Sequence, residues 1–402
     1  MWGLLIGMAD PRGTLMSWSI KLGTIKGIEI RVHVTFFLIL IWAAAEGLSQ
    51  SGGGWGRAIF GVLSTCLLFV CVVLHELGHS LVAIHFGGRV RNIILLPIGG
   101  VAQMESLPDK PIHELLVAIA GPAVNFVIAT VLMLIALPMI RAEIPTGLLV
   151  TLSSPRAWYV LIAFVVRLLF RLLDGIDWRA LVLYLLGANA SLGIFNLLPA
   201  FPMDGGRVLR GLLALWLDYL RATRIAINVG QSLAVILGFF GILTANWMLM
   251  LIAVFIFFSA GQEGRVVEAR VVLGNLRVEQ VLNSQAPSLS PLHSLAHVLD
   301  VASHLRQANF PVMQGTRLVG VLTQDDVLAA LHQYGVEVRV GRVMRRQFPI
   351  VRPTDTLLHA RQLIAQSGIK ALPVMNGSVV LGLISLQDID AAYLLSATPH
   401  LA

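Results

Sequence analysis

The chain has 402 residues, of which 56% are hydrophobic and only 13% charged, against about 25% charged residues in an ordinary soluble protein. That balance excludes a disordered chain, a collagen-like repeat and a disulfide-stapled secreted domain, and makes the bilayer the expected solvent for much of the sequence. The formal net charge of +7 does not point to nucleic acid, and no such partner is expected, because the basic residues sit at the ends of apolar segments, where lipid headgroups attract them. Cys66 and Cys71 share one apolar run and read as packing residues rather than as a metal or disulfide framework.

In chain order, the first residues are too short and too weakly apolar a stretch for a cleavable signal peptide. Residues 17–31 alternate around two glycines and predict a small β-hairpin. Apolar runs long enough to cross a hydrocarbon core of about 30 Å follow at 32–50, 57–86, 113–140, 180–200, 226–243 and 246–260. A further apolar stretch, 158–173, carries Arg167 and Arg171 one helical turn apart and is expected to be interfacial or re-entrant. Six spans put both termini on one side. Lys21, Lys26, Arg31, Arg89, Arg91, Lys110, Arg207, Arg210, Arg221 and Arg224 fall on that side, which the positive-inside rule makes cytoplasmic. Arg141, Arg156 and Arg179 fall opposite.

After Gly261 the composition turns to mixed charge with short β-branched runs, the pattern of a soluble αβ module. This region repeats at an offset of 62: Val281, Pro291, Pro311, Val312, Met313, Gly315, Gly320 and Asp326 recur as Val343, Pro353, Pro373, Val374, Met375, Gly377, Gly382 and Asp388. Two copies of one fold are therefore expected. The expected boundaries are an N-terminal hairpin at 1–31, a membrane domain at 32–261, a linker at 262–275 and repeats at 276–337 and 338–396.

The second apolar run contains HELGH, with His75 and His79 one turn apart and Glu76 between them. Spacing i, i+4 puts both imidazoles on one helical face, where they can hold one Zn²⁺ while the glutamate serves as general base. Ionisable groups inside a membrane span cost several kcal/mol without partners, which makes them functional candidates. A catalytic zinc takes three protein ligands and keeps a fourth position open. Asp204 is the best candidate for the third, since Pro199 and Pro202 break the fourth run and Gly205 and Gly206 allow a tight turn. His85 and His113 are the alternatives.

Taken together, HELGH, GPAVN at 121–125, FNLLPAFPMDGGR at 195–207 and the tandem C-terminal pair resemble the prokaryotic site-2 proteases, in the subgroup carrying cystathionine-β-synthase (CBS) domains. The resemblance covers nearly the whole chain. It implies a polytopic α-helical membrane protein of about six transmembrane helices, with short N-terminal and re-entrant β elements, followed by a soluble α/β tandem CBS module. It implies one Zn²⁺ at His75, His79 and Asp204, Glu76 as base, and Asn196 as hydrogen-bond donor to a developing oxyanion, with Asn125 as the other polar candidate near substrate. Residues 88–103 resemble the family's re-entrant β-loop, so Ile94, Leu96 and Gly99 are expected at an edge that pairs with an extended substrate. Thr323 with Asp326 and Ser385 with Asp388 match CBS positions that contact adenosine nucleotides, although hydroxyl-x-x-Asp is also an ordinary helix cap. The implied substrate is a membrane protein with a single transmembrane helix, of the anti-sigma-factor kind, and the implied setting is the cell membrane, with the CBS pair also a route to a homodimer. The stretch 142–178 is longer than the family pattern requires.

Two other classes remain open on the residues alone. A transporter or channel regulated by such a pair should carry charges lining its spans or an inverted repeat, and neither is visible. A catalytically dead scaffold has no use for the set His75, Glu76, His79 and Asp204.

Overall fold

The computed structural model describes residues 18–49, 54–106, 110–143, 176–282, 287–305 and 309–397, and these divide into two compact units, up to Gly264 and from Arg265. The stretch 158–173 and most of 142–178 lie outside the described residues.

The first unit opens with β1 (Ser19–Ile25) and β2 (Ile28–His33), an antiparallel pair turning on Gly27 at φ 85°, a conformation glycine adopts without steric cost. The expected hairpin is thus present. Helix α1 (Phe36–Ser49) and helix α2 (Trp55–His85) follow, then β3 (Arg89–Leu96) and β4 (Gly99–Ser106). Helices α3 (Pro111–Glu143), α4 (Trp178–Asn196), α5 (Asp204–Leu213), α6 (Tyr219–Leu243) and the part of α7 (Trp247–Asn275) up to Gly264 complete it. Residues 262–275, expected as a linker, are the helical end of α7.

Among the described residues five helices, α2, α3, α4, α6 and α7, are long and apolar enough to cross a membrane, one fewer than the six expected. The difference is α1, whose 14 residues reach about 21 Å at 1.5 Å per residue. The start of that apolar run belongs to β2, where Val32 pairs with Leu95, so the helix begins only at Phe36.

The strands form one four-stranded sheet in the order β1-β2-β3-β4. β2 and β3 pair in parallel, Ile30 opposite Ile93, and β3 and β4 pair antiparallel, Ile94 opposite Val101. Ile28, Val32, Ile93, Leu95 and Ala102 pack with Phe36, Phe69 and Leu77 in one core, which fastens the sheet to α2. Each of the Ile, Val, Leu and Phe side chains contributes about 1.5–3 kcal/mol when fully buried.

This pairing corrects one expectation. Ile94 is 1% exposed and its strand is hydrogen-bonded on both sides, so the strand edge beside the zinc-motif helix belongs to β4. Leu96 is buried as well, paired with Gly99 where the hairpin turns. A proline at Ile94 breaks an interior ladder and reports on folding rather than on substrate pairing.

The second unit builds the 62-residue repeat twice. The first copy contains α8 (Leu295–Leu305), β5 (Phe310–Gln314), β6 (Arg317–Leu322) and α9 (Gln324–Tyr334). After the short α10 (Val340–Val343), the second contains α11 (Leu357–Ser367), β7 (Ala371–Asn376), β8 (Val379–Ser385) and α12 (Leu386–Ala397). The register recurs to the residue: the irregularity between Val312 and Met313 returns between Val374 and Met375, and the bridge Leu289–Val312 returns as Val351–Val374. The two cores exchange segments. Val340 and Met344, at the start of the second copy, pack with Leu295, Phe310 and Leu322 of the first. Leu273, just before the first copy, and Val278, at its start, pack with Leu357, Leu372 and Ile384 of the second.

Candidate metal centre

Helix α2 presents His75 and His79 from one face, their rings 4.7 Å apart edge to face, and both are 7% exposed. Asp204 arrives from far along the chain. The loop after α4 folds back so closely that a Cβ on Gly205 would collide with the carbonyls of Leu197 and Leu198, and one on Gly206 would lie 2.8 Å from the Phe201 amide. Only glycine lets the first turn of α5 lie against that loop, and this approach delivers the Asp204 carboxylate to the histidines. Its Oδ2 stands 3.2 Å from His75 Nε2 and 3.1 Å from His79 Nε2, and the two Nε2 atoms are 3.1 Å apart.

Three lone-pair donors converging in a buried site repel one another unless protons or a cation lie between them. Donors held about 2.0–2.1 Å from a tetrahedral Zn²⁺ are separated by about 3.3 Å, close to the triangle observed. The donor chemistry agrees, with two imidazoles, one carboxylate and a fourth side left open. These are the three residues that could hold a metal ion among those described; His85 and His113 are elsewhere, the first exposed at the end of α2 and the second stacked on Phe86 at 4.0 Å.

The far side of His79 is held as well: its Nδ1 lies 2.6 Å from the Val117 carbonyl of α3. With Nδ1–H donating there, Nε2 keeps its lone pair for the site. Asn125, eight residues and about two helical turns further along the same face of α3, places Nδ2 3.1 Å from His75 Nδ1. Between them sits Gly121. A Cβ there would collide with His79 Nε2 and stand 2.7 Å from His75 Nε2. Glu76 is 5% exposed and touches the sheet, since a Cβ on Gly100 of β4 would lie 2.7 Å from its Cγ. Strand β4 therefore runs directly beside the expected base, and Gly99 is the residue that starts it.

Asn196 ends α4, half-buried, and among the described residues forms no hydrogen bond with His75, His79 or Asp204; the amide that reaches the histidines is Asn125. The composition-level reading also missed Arg210. It is 4% exposed and binds Glu114 of α3 through Nε at 2.8 Å and Glu263 of α7 at 2.9 Å, while the Tyr219 hydroxyl donates to Glu114 at 3.0 Å. Desolvation opposes its charge, but Glu114, Tyr219 and Glu263 outweigh that and raise the guanidinium above its ordinary value. The cluster ties the helix bearing Asp204 to α3, the helix bearing Val117, Gly121 and Asn125. Arg210 stands three residues past the GGR of the fourth run, and nothing in its local pattern marks it as buried.

In the second unit Thr323 and Ser385 cap α9 and α12. Each hydroxyl donates to its aspartate, Asp326 or Asp388, at 2.6 Å, and Arg345 adds bonds to Asp326 at 2.9 and 3.0 Å. Both cysteines are free.

Comparison with known proteins places the chain in a family. Residues 64–237 match peptidase family M50, and residues 278–333 and 340–394 each match the CBS domain. The zinc metalloprotease MJ0392 of Methanocaldococcus jannaschii is 34% identical over 375 residues, covering 93% of this chain and 96% of that protein. A putative zinc metalloprotease of Synechocystis, sll0528, is 27% identical over 401 residues, covering 94% and 96%. The solved site-2 protease from Methanocaldococcus jannaschii is 39% identical and covers 61% of this chain and 95% of its own, at a TM-score of 0.40.

Proposed function

Since the chain belongs to peptidase family M50, the site-2 proteases, as a multi-pass membrane zinc metalloprotease with two CBS domains, we propose that it hydrolyses a peptide bond in or near the transmembrane segment of a membrane-protein substrate. His75, His79 and Asp204 hold one zinc ion, and Glu76 moves the proton. The observation that carries this reading is the triangle of donor atoms with Glu76 next to His75, within the helical turn that joins the two histidines.

Zinc held by these residues supplies a Lewis acid that acidifies water and polarises a carbonyl. Glu76 accepts the proton as the water oxygen bonds to the scissile carbon, then delivers it to the amide nitrogen as the C–N bond breaks. Desolvation by α2, α3 and β4 strengthens each of these electrostatic contacts. A helical substrate hides its peptide groups, so it must be extended before cleavage. The edge of β4, beginning at Gly99 and passing Glu76 at Gly100, offers main-chain hydrogen bonds to such an extended segment, with Asn196 near the broken end of α4 as an oxyanion donor.

Purified protein is expected to carry about one zinc per chain and to cleave single-span substrates in detergent, with both properties lost in His75→Ala. Full zinc content in His75→Ala would refute the site. A substrate of the anti-sigma-factor kind suits the demand for one accessible span, and the excess of Lys and Arg around 21–31 and 89–110, with Arg207, Arg221 and Arg224, favours a cytoplasmic N-terminus and CBS pair.

The CBS pair serves as a nucleotide-responsive module and as a route to a homodimer. Its support is the recurrence of Thr323 with Asp326 as Ser385 with Asp388 in equivalent positions of the two copies. Calorimetry on the full-length chain should show ATP or a related adenosine nucleotide binding. Asp326→Ala and Asp388→Ala should each weaken it by about tenfold or more, the worth of one hydrogen bond to a charged group. No heat at millimolar nucleotide would leave these residues as helix caps alone.

A further inference from the structure

Val117, Gly121 and Asn125 recur every four residues and so form one stripe of α3, and the structure turns that stripe toward the two histidines. The atoms that converge with Asp204 are the Nε2 atoms, so each ring must carry its proton on Nδ1 to offer a lone pair. His79 has an acceptor for that proton in the Val117 carbonyl. His75 has the Asn125 amide, whose Nδ2 lies 3.1 Å from Nδ1 and whose Oδ1 is buried with no hydrogen-bond partner among the described residues. With Nδ2 toward the ring, the amide donates to Nδ1, the ring proton moves to Nε2 and the ligand atom is blocked. The two ends of an amide have the same shape and are assigned by their hydrogen bonds. Turning the group over places Oδ1 against Nδ1–H and frees Nε2, and the ligand role of Nε2 is what selects this orientation.

We propose that Asn125 is a positioning residue that accepts the Nδ1 proton of His75, so that one stripe of α3 sets the tautomer and ring orientation of both histidine ligands. The inference rests on the metal-centre reading above. It differs from a role in substrate binding, which an amide 1% exposed and directed at a ligand ring has no free surface to perform.

The test is zinc affinity of the full-length protein in detergent, measured by chelator competition on metal-stripped wild type, Asn125→Leu and Asn125→Asp, with the rise in Tm on adding zinc as a second readout. Leucine keeps the volume and removes the acceptor, so affinity should fall about 10–100-fold, the usual worth of the group behind a ligating histidine. Aspartate accepts but does not donate, so it should bind zinc at least as tightly as wild type. Wild-type affinity in Asn125→Leu would overturn the proposal. If the leucine variant fails to fold, Asn125→Asp decides: a tenfold loss would show that the amide N–H is the needed group and overturn it equally. Wild type without zinc binding at all would refute the metal centre itself, an outcome distinct from a change confined to Asn125 variants.

Discussion

Glu76→Gln is expected to slow peptide hydrolysis by about 10²–10⁴-fold, the range supplied by a positioned general base, while zinc content stays at the wild-type level. The amide has the volume of the carboxylate, so the contact with Gly100 survives, and Glu76 is not among the three atoms that form the donor triangle. What is lost is the ability to take a proton from water and return it to the leaving nitrogen. Single-turnover cleavage of a single-span substrate, with metal analysis of the same sample, measures both quantities. Wild-type turnover with zinc retained would sink the assignment of Glu76 as base.

The second large effect belongs to a residue with no functional group. Gly121→Ala should lower zinc affinity by at least about 100-fold, beyond the loss typical of an outer hydrogen-bond partner. Its new Cβ would overlap His79 Nε2 and stand 2.7 Å from His75 Nε2, so at least one ring must leave the triangle. α2 and α3 cannot separate easily to make room, because Gly78 already brings α2 against Ala120 and Val124 of α3. Gly187→Ala is the control: it lies in α4 with open space around the position, and zinc affinity should be unchanged. Equal affinity in Gly121→Ala would show that the two helices have slack that the close contacts deny.

Both residues stand in motifs readable from the chain, yet their legibility differs. Glu76 could be assigned a role because its relation to His75 and His79 is local: the helical period alone places the two imidazoles on one face with the glutamate adjoining. Gly121 was visible only as part of a pattern. That its missing side chain makes room for two imidazoles depends on how α3 crosses α2, and the crossing is decided by packing between segments distant in sequence.

The same division runs through the molecule. From the sequence alone came the apolar runs that form α2, α3, α4, α6 and α7, the N-terminal hairpin, the HELGH face, Asp204 as the candidate that meets the two histidines, and the doubled C-terminal unit. Each of these rests on composition, on the 3.6-residue or two-residue period, on turn chemistry at Gly205 and Gly206, or on an offset that can be counted. Tertiary structure decided which strand is an edge, because β2 pairs with β3 and thereby buries Ile94. It decided where α1 begins, which amide meets His75, and that Arg210 is a buried anchor rather than a headgroup-facing charge. It also decided that Leu273 and Val340 each complete the core of the other repeat. Local periodicity states which face of an element is apolar or ligating, whereas the choice of what covers that face is made by long-range pairing, where many partners have the right pattern and only packing and hydrogen-bond satisfaction select among them.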